Sequence, residues 1–231
     1  MLFNGVDGFG SAGNISTSLD SSVEAFSLSI WFKSAGVPAA DSVMLQLNPE
    51  LETGSDSMQV SVYWASSDEV GVHLTPDFAN VPGARIVAAV PDPQGWNHVM
   101  LTFDAQAASG NAKMYLNGAL VGSGDQGVSL TAVGNIQFAK TGIGTDFYHG
   151  SLDEVAIWDT VLSSEDIAGV YNDGKPKNVR FDFLGYSSSG TVRSLWRMGD
   201  ENFRLEENVS DLVGENHFTI VGGGVFQLDT P

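Results

Sequence analysis

A chain of 231 residues can bury a full core as one all-β domain. It has no cysteine, which excludes a disulfide framework, a thiolate metal site and a thiol nucleophile. With 28 acidic residues against 10 basic ones, a formal charge of −18 argues against nucleic acid and anionic membranes as partners. The same charge fits either a well-solvated surface or carboxylates that collect divalent cations.

Met1–Gly5 lacks a basic start followed by an apolar stretch, so no signal peptide is expected. No run approaches the roughly 18 apolar residues of a membrane span. A protein of this kind working outside a cell would leave by lysis, by a dedicated secretion system or inside a larger particle. Period-two alternation between turn signals recurs along the chain, as a β-sandwich requires. Phe26, Leu28, Ile30 and Phe32 face one way, and Ser27, Ser29, Trp31 and Lys33 the other. Met58, Val60, Val62 and Trp64 repeat the pattern, as do Val70, Val72 and Leu74. Pro91 and Pro93 bar a strand from that point. Val99, Leu101 and Phe103 then form another inward row, with His98, Met100 and Thr102 opposite. Asn117-Gly118 tolerates the positive φ angles of a type I′ turn and makes Met114–Val121 a hairpin. Ile136 and Phe138 start a further strand, and Ala35–Asp41, Asn48–Ser57 and Pro76–Arg85 read as loops.

Phe147–Gly174 carries the most information. Val155 and Ile157 keep strand spacing, but Leu152 to Val155 is a step of three, which predicts a bulge at Asp153-Glu154. Ser163 is a good N-cap with Asp166 three residues on, and Ile167, Val170 and Tyr171 supply the apolar stripe of a short helix near 163–172. Gly174 and Pro176 are its expected stop. Lys175–Asn178 reads as a short linker, followed by Leu195–Asp200, Asp211–His217 and Phe218–Gly224.

The run Gly150-Ser-Leu-Asp-Glu-Val-Ala-Ile-Trp-Asp159, with Leu162-Ser163 and Glu165-Asp166-Ile167, resembles the laminin-G-like branch of the concanavalin A-like jelly rolls. Phe3–Gly8, Phe26–Phe32, Gly95–Asp104 and Met114–Gly118 follow that family's order. The resemblance implies an all-β fold: a two-sheet antiparallel jelly-roll sandwich with one short helix. Residues 1–231 would form a single domain, with 179–231 completing the sheets. In relatives the stretch similar to 195–224 comes first, so a circular permutation is expected, with Phe218–Leu228 beside the N-terminal strand. A separate small subdomain is the alternative, though about 57 cysteine-free residues would be marginal alone. Trp196–Asp200 and the ending Asp229–Pro231 also resemble laminin-G-like proteins encoded by tailed phages.

The family often binds one Ca²⁺ near such a run, and the positions matching its ligands are Asp153, Asp211, Asn216 and Asp7. Asp211-Leu-Val-Gly-Glu-Asn216 departs from the usual pattern of that loop. The alternative is that Asp153 caps a turn while Glu154 pairs with a cation. No strand carries the spaced carboxylates that glycoside hydrolysis needs, since Asp153 and Glu154 are adjacent, so catalysis is not expected. His73, His98, His149 and His217 are scattered and read as packing or surface residues. Trp31, Tyr63, Tyr148 and Trp158 either offer faces for sugar stacking or are covered by other parts of the chain. The expected function is a non-enzymatic surface protein of a tailed-phage virion, on capsid or tail. Its partners would be other virion proteins and glycans, with homo-oligomerisation open. The alternative is an extracellular, Ca²⁺-dependent carbohydrate-binding or adhesion module of a bacterium.

Overall fold

A strand with alternating side chains has one apolar face, and two sheets of such strands bury those faces against each other. A computed structural model describes residues 1–13, 24–49, 59–75, 83–127, 134–141, 146–198, 208–226 and 230–231. Its strands, in chain order, are β1 (Leu2–Asn4), β2 (Phe9–Gly13), β3 (Ala25–Ser34), β4 (Ser42–Leu47), β5 (Gln59–Trp64), β6 (Glu69–Thr75), β7 (Ala84–Ala89) and β8 (Asn97–Asp104). There follow β9 (Ala112–Leu116), β10 (Ala119–Gly124), β11 (Asn135–Phe138), β12 (His149–Trp158) and the helix α1 (Ser164–Tyr171). The C-terminal part adds β13 (Val192–Trp196), β14 (Asn208–Val209), β15 (Phe218–Val221) and β16 (Gly224–Val225).

Two antiparallel sheets result. The first runs β10-β9-β8-β3-β12-β1-β16, with β13 also paired to β12. The second runs β14-β15-β2-β11-β4-β5-β6-β7. Between them lies the main core, including Phe3, Phe26, Phe32, Trp64, Phe138, Trp196 and Phe218, all fully buried. A second core lies beyond the first sheet. There Met100, Ala156 and Trp158 meet Ile167 and Val170 of α1 and Val179, Tyr186 and Leu195 from the chain that follows. Where β8, β12 and β13 lie under this cover, the first sheet is therefore buried on both faces.

The C-terminal segment contributes to both sheets. Thr219 pairs with Ser11, and Leu2 with Val225. On one edge of β12, β1 pairs with Ser151 and Gly150 while β13 pairs with Val155 and Ala156. Between those contacts sits the bulge that the spacing predicts. The register against β3 shifts between Asp153 and Ala156, and Glu154 takes a φ of +46°. Asn117 and Gly118 have φ of +50° and +78°, the turn expected of them. Ser163 caps α1, its hydroxyl accepting from the Asp166 N–H at 3.0 Å.

One sequence expectation is corrected and one open alternative is decided. The α-helix stops at Asn172, before Gly174: Asn172 is left-handed (φ +46°) and its N–H reaches the Ala168 carbonyl, a conformation asparagine takes more readily than most residues other than glycine, and a single 3-10 turn then runs on to Gly174. For the four candidate aromatics the covered alternative holds, and none stands open to solvent. Trp31 lies under Tyr171 at 5.7 Å and Trp158 under Tyr186, whose hydroxyl takes its indole hydrogen bond. Tyr148 is in the main core, donating to the Lys33 carbonyl at 2.6 Å, and Tyr63 is also buried. Met58, Asp200, Leu228 and the loop stretches 50–57 and 76–82 lie outside the described residues.

Candidate functional site

The four residues matched to calcium ligands fall in three places. Asp153, buried at the bulge, accepts from the N–H groups of Glu154 and Met198 at 2.8 Å each. Glu154 beside it is ion-paired with Arg197, Nε to Oε1 2.7 Å. Asp211 and Asn216 share one loop. A single Asp211 oxygen accepts from the N–H groups of Leu195, Val213 and Gly214 at 2.9–3.0 Å. Asn216 donates to Ser194 and accepts from the Trp196 indole at 2.8 Å, so the loop fastens β13. Asp7 lies on the surface, accepting from Asn4 and from the Gly223 N–H. Calcium requires six to eight oxygens turned toward one point. Oxygens occupied by N–H donors in three separate places do not fit that requirement, and among the described residues no group of three acidic or histidine side chains does either.

Under α1 and the chain that follows it, the outer face of the first sheet is closed. Beneath α1 and the stretch 176–179, Ser29, Trp31, Glu154, Trp158 and Lys177 line a cavity of only about 10 Å³. That is roughly room for a single water. Asp166 holds this cover down: burial pushes its carboxyl up, but hydrogen bonds from the Ser187 N–H and the Ser163 and Ser188 hydroxyls outweigh it and keep the group below the usual range.

The second sheet has a different outer face. One register row crosses all eight of its strands. Asn208 pairs with Thr219, Thr219 with Ser11, Ser11 with Gln137 and Gln137 with Gln46. Gln46 in turn pairs with Ser61, Ser61 with His73, and His73 with Arg85. Their chain neighbours Ile136, Leu45, Val60, Val72 and Ile86 point into the core, so the row points out. Every member is polar and none is a carboxylate. Asn208, Thr219 and Ser11 are exposed at one end and Arg85 at the other. Exposure falls to 8% at Gln137, 4% at Gln46 and 0% at Ser61. The row therefore has accessible ends and a sunken floor.

On that floor the Gln46 amide donates to the Ser61 hydroxyl at 3.1 Å, while Oε1 of Gln137 has no hydrogen-bond partner. Two residues from Ser61, Tyr63 packs over Gly71: a Cβ there would meet its ring carbon at 2.9 Å. Glycine is required at Gly71 by this close approach, not by its φ. Arg85 donates to the Tyr63 hydroxyl at 2.6 Å and sits 5.6 Å from the ring centroid. Burial raises the Tyr63 hydroxyl above its usual range, with Arg85 opposing. Burial, aided by Arg85, lowers His73, so its imidazole is neutral at pH 7. The row thus offers hydroxyls, primary amides, a neutral imidazole and one guanidinium.

Sequence reasoning located the inward partners of these strands but not the row. Its only sequence signal is the polar filling between apolar positions, as in Gln59-Val-Ser61-Val-Tyr63. Strand order and register, which align the residues, are tertiary properties.

These features define a class: a two-sheet β-sandwich with one face sealed by a helix and one face polar. Residues 7–168 match the concanavalin A-like lectin/glucanases superfamily in its Laminin G 3 family, and the chain belongs to that family. No curated protein matches the sequence. Among solved structures, a Bacteroides ovatus protein assigned as carbohydrate-binding superposes with TM-score 0.65 at 13% identity, covering 99% of this chain. The chain spans 62% of that protein's length. The CBM40 of the Ruminococcus gnavus IT-sialidase gives 0.55 at 15%, covering 74% of this chain and 95% of its own. A heptameric SAP-like pentraxin of Limulus polyphemus gives 0.53 at 15%, covering 74% and 80%. At such identities the likeness establishes the fold alone.

Proposed function

We propose that this protein is a non-catalytic glycan-binding module whose binding face is the polar row across the second sheet. The row itself carries the reading. Sugar hydroxyls both donate and accept, and so do the hydroxyl, amide and neutral imidazole groups set out at strand spacing along it. A rigid jelly-roll scaffold suits such recognition. The carbohydrate-binding assignment of the Bacteroides ovatus protein and the sialidase CBM40 support the reading by analogy. Binding without cleavage is supported by the absence of a carboxylate from the row, since glycoside hydrolysis employs a carboxylate pair roughly 5–10 Å apart. For its setting we place the module on the surface of a tailed-phage virion beside other virion proteins. Support comes from the acidic, cysteine-free composition and the resemblance of Trp196–Asp200 to phage-encoded relatives.

Affinity electrophoresis through gels containing polysaccharides tests the binding face. The wild type is expected to be retarded by at least one glycan, and Gln46→Ala/Gln137→Ala to lose that retardation while keeping its melting temperature. Equal retardation of both proteins would remove the second sheet as the binding face. Mass spectrometry of purified particles tests the setting: absence of this chain from them would overturn it.

A further inference from the structure

The cover over the first sheet has an outer surface of its own, across the sandwich from the polar row. We propose that residues 175–184 of this cover form a docking ridge for a short acidic segment of a partner protein, a role independent of glycan binding. Exposure argues for it first. Leu184 is 97% exposed, more than any other large apolar residue among those described, and Phe181, three residues away, is 63% exposed. Single exposed apolar residues are ordinary, but here two stand side by side on one turn. The turn is also held rigidly. Phe183 and Tyr186 exchange backbone hydrogen bonds of 3.0 and 2.8 Å, and Gly185 takes a φ of +82°. That is the left-handed third position of a type II turn, which puts Leu184 at the tip. Behind it, Tyr186 is anchored in the second core and stacked on Phe183 at 4.8 Å, while Asp166 accepts from the Ser187 N–H. Leu184 belongs to neither core, and a fixed turn offers it to a partner with little further loss of freedom.

Charge selects the partner. The chain has 10 basic residues against 28 acidic ones, yet residues 175–184 hold Lys175, Lys177 and Arg180 and only one acid, Asp182. Asp182 is itself engaged, accepting from the Ser189 N–H at 3.1 Å. Lys175 and Lys177 are exposed, and the Lys177 ammonium rests over the Phe183 ring at 4.7 Å. An ammonium in that position still has donors for a carboxylate, directly beside an apolar contact. Beyond roughly 8 Å salt screens the acidic remainder of the surface, so the local positive ridge decides what docks. A second copy meeting it through the same ridge would set lysine against lysine. Ten residues also fall short of the roughly 20–30 a side of a standard interface, which favours a short segment over a broad protein face.

Fluorescence anisotropy of the whole chain with labelled decapeptides tests this. The probes mix glutamate and aspartate with leucine and phenylalanine in varied order, and matched peptides carry glutamine and asparagine in place of the acids. Acidic peptides are expected to bind about tenfold or more tightly than their amide counterparts, and to release as salt rises. Leu184→Ser and Lys177→Glu, both at exposed positions, are each expected to weaken that binding about tenfold with the melting temperature unchanged. Lys113→Ala, far from the ridge in the sequence and also exposed, is expected to bind like the wild type. No binding of the acidic peptides, equal binding of the two sets, or wild-type binding by both variants would overturn the inference. So would two outcomes in place of peptide binding. One is co-sedimentation with vesicles of phosphatidylcholine and phosphatidylserine, which would make the ridge a membrane contact. The other is a concentration-dependent dimer in sedimentation velocity that Leu184→Ser abolishes, which would make a second copy the occupant.

Discussion

His98 shows what burial does to a single side chain. It is fully buried on the outer face of β8, 2.7 Å from the Ser29 hydroxyl, with Trp31 at 5.0 Å and Tyr171 at 6.1 Å. Burial lowers its pKa to about 3. The unfolded chain takes up that proton near pH 6.5, while the native protein resists it down to about 3. Stability from this group is therefore complete above pH 6.5 and is lost as pH falls toward 3. Between pH 6.5 and 5 the expected loss is about 2 kcal/mol, at 1.36 per pH unit. The imidazole NMR signals of His98 should stay flat between pH 7 and 5, and an inflection near 6.5 would contradict its burial. A packing role for His98 was readable from its strand position. So was the alternative that Glu154 pairs with a cation, but not that the cation is Arg197, 43 residues away, because only the β12–β13 pairing brings them together.

At the scale of elements, α1 and the turn at Gly185 lock together. Gly169 faces that turn, and a Cβ there would lie 2.2 Å from the Gly185 carbonyl oxygen. Helix propensity alone favours Gly169→Ala by about 1 kcal/mol, whereas forcing an atom into a packed contact costs about 1–3 kcal/mol. The contact should win, giving Gly169→Ala a lower melting temperature by circular dichroism; a higher one would show that the helix does not dock there. Much of this helix was legible from local signals: its Ser163 cap, its apolar stripe and its place after the bulge. Its docking was not, since Tyr186, Val192 and Leu195 cover Trp158 from a stretch whose pattern does not name a target. The same gap explains the aromatics. Alternation assigns Trp31 and Trp158 to the face opposite the main core, but it cannot say whether another layer lies on top.

The molecule as a whole separates a sealed sheet face from a polar one. Asp153 and Asp211 serve as hydrogen-bond acceptors that fasten β13 beside the bulge and the loop before β15. Melting curves with and without EDTA are accordingly expected to coincide. A melting temperature lowered by EDTA and restored by Ca²⁺ would contradict that role. The sandwich was legible because its alternation is local, while the polar row became visible only once eight strands had an order and a register. The most direct measurement is a map of amide NMR shifts as a retained polysaccharide fragment is titrated into the protein. Shifts centred on Ser11, Gln46, Ser61, His73, Arg85 and Gln137 are predicted. Shifts centred on α1 and residues 176–188, with that row unmoved, would contradict recognition by the second sheet.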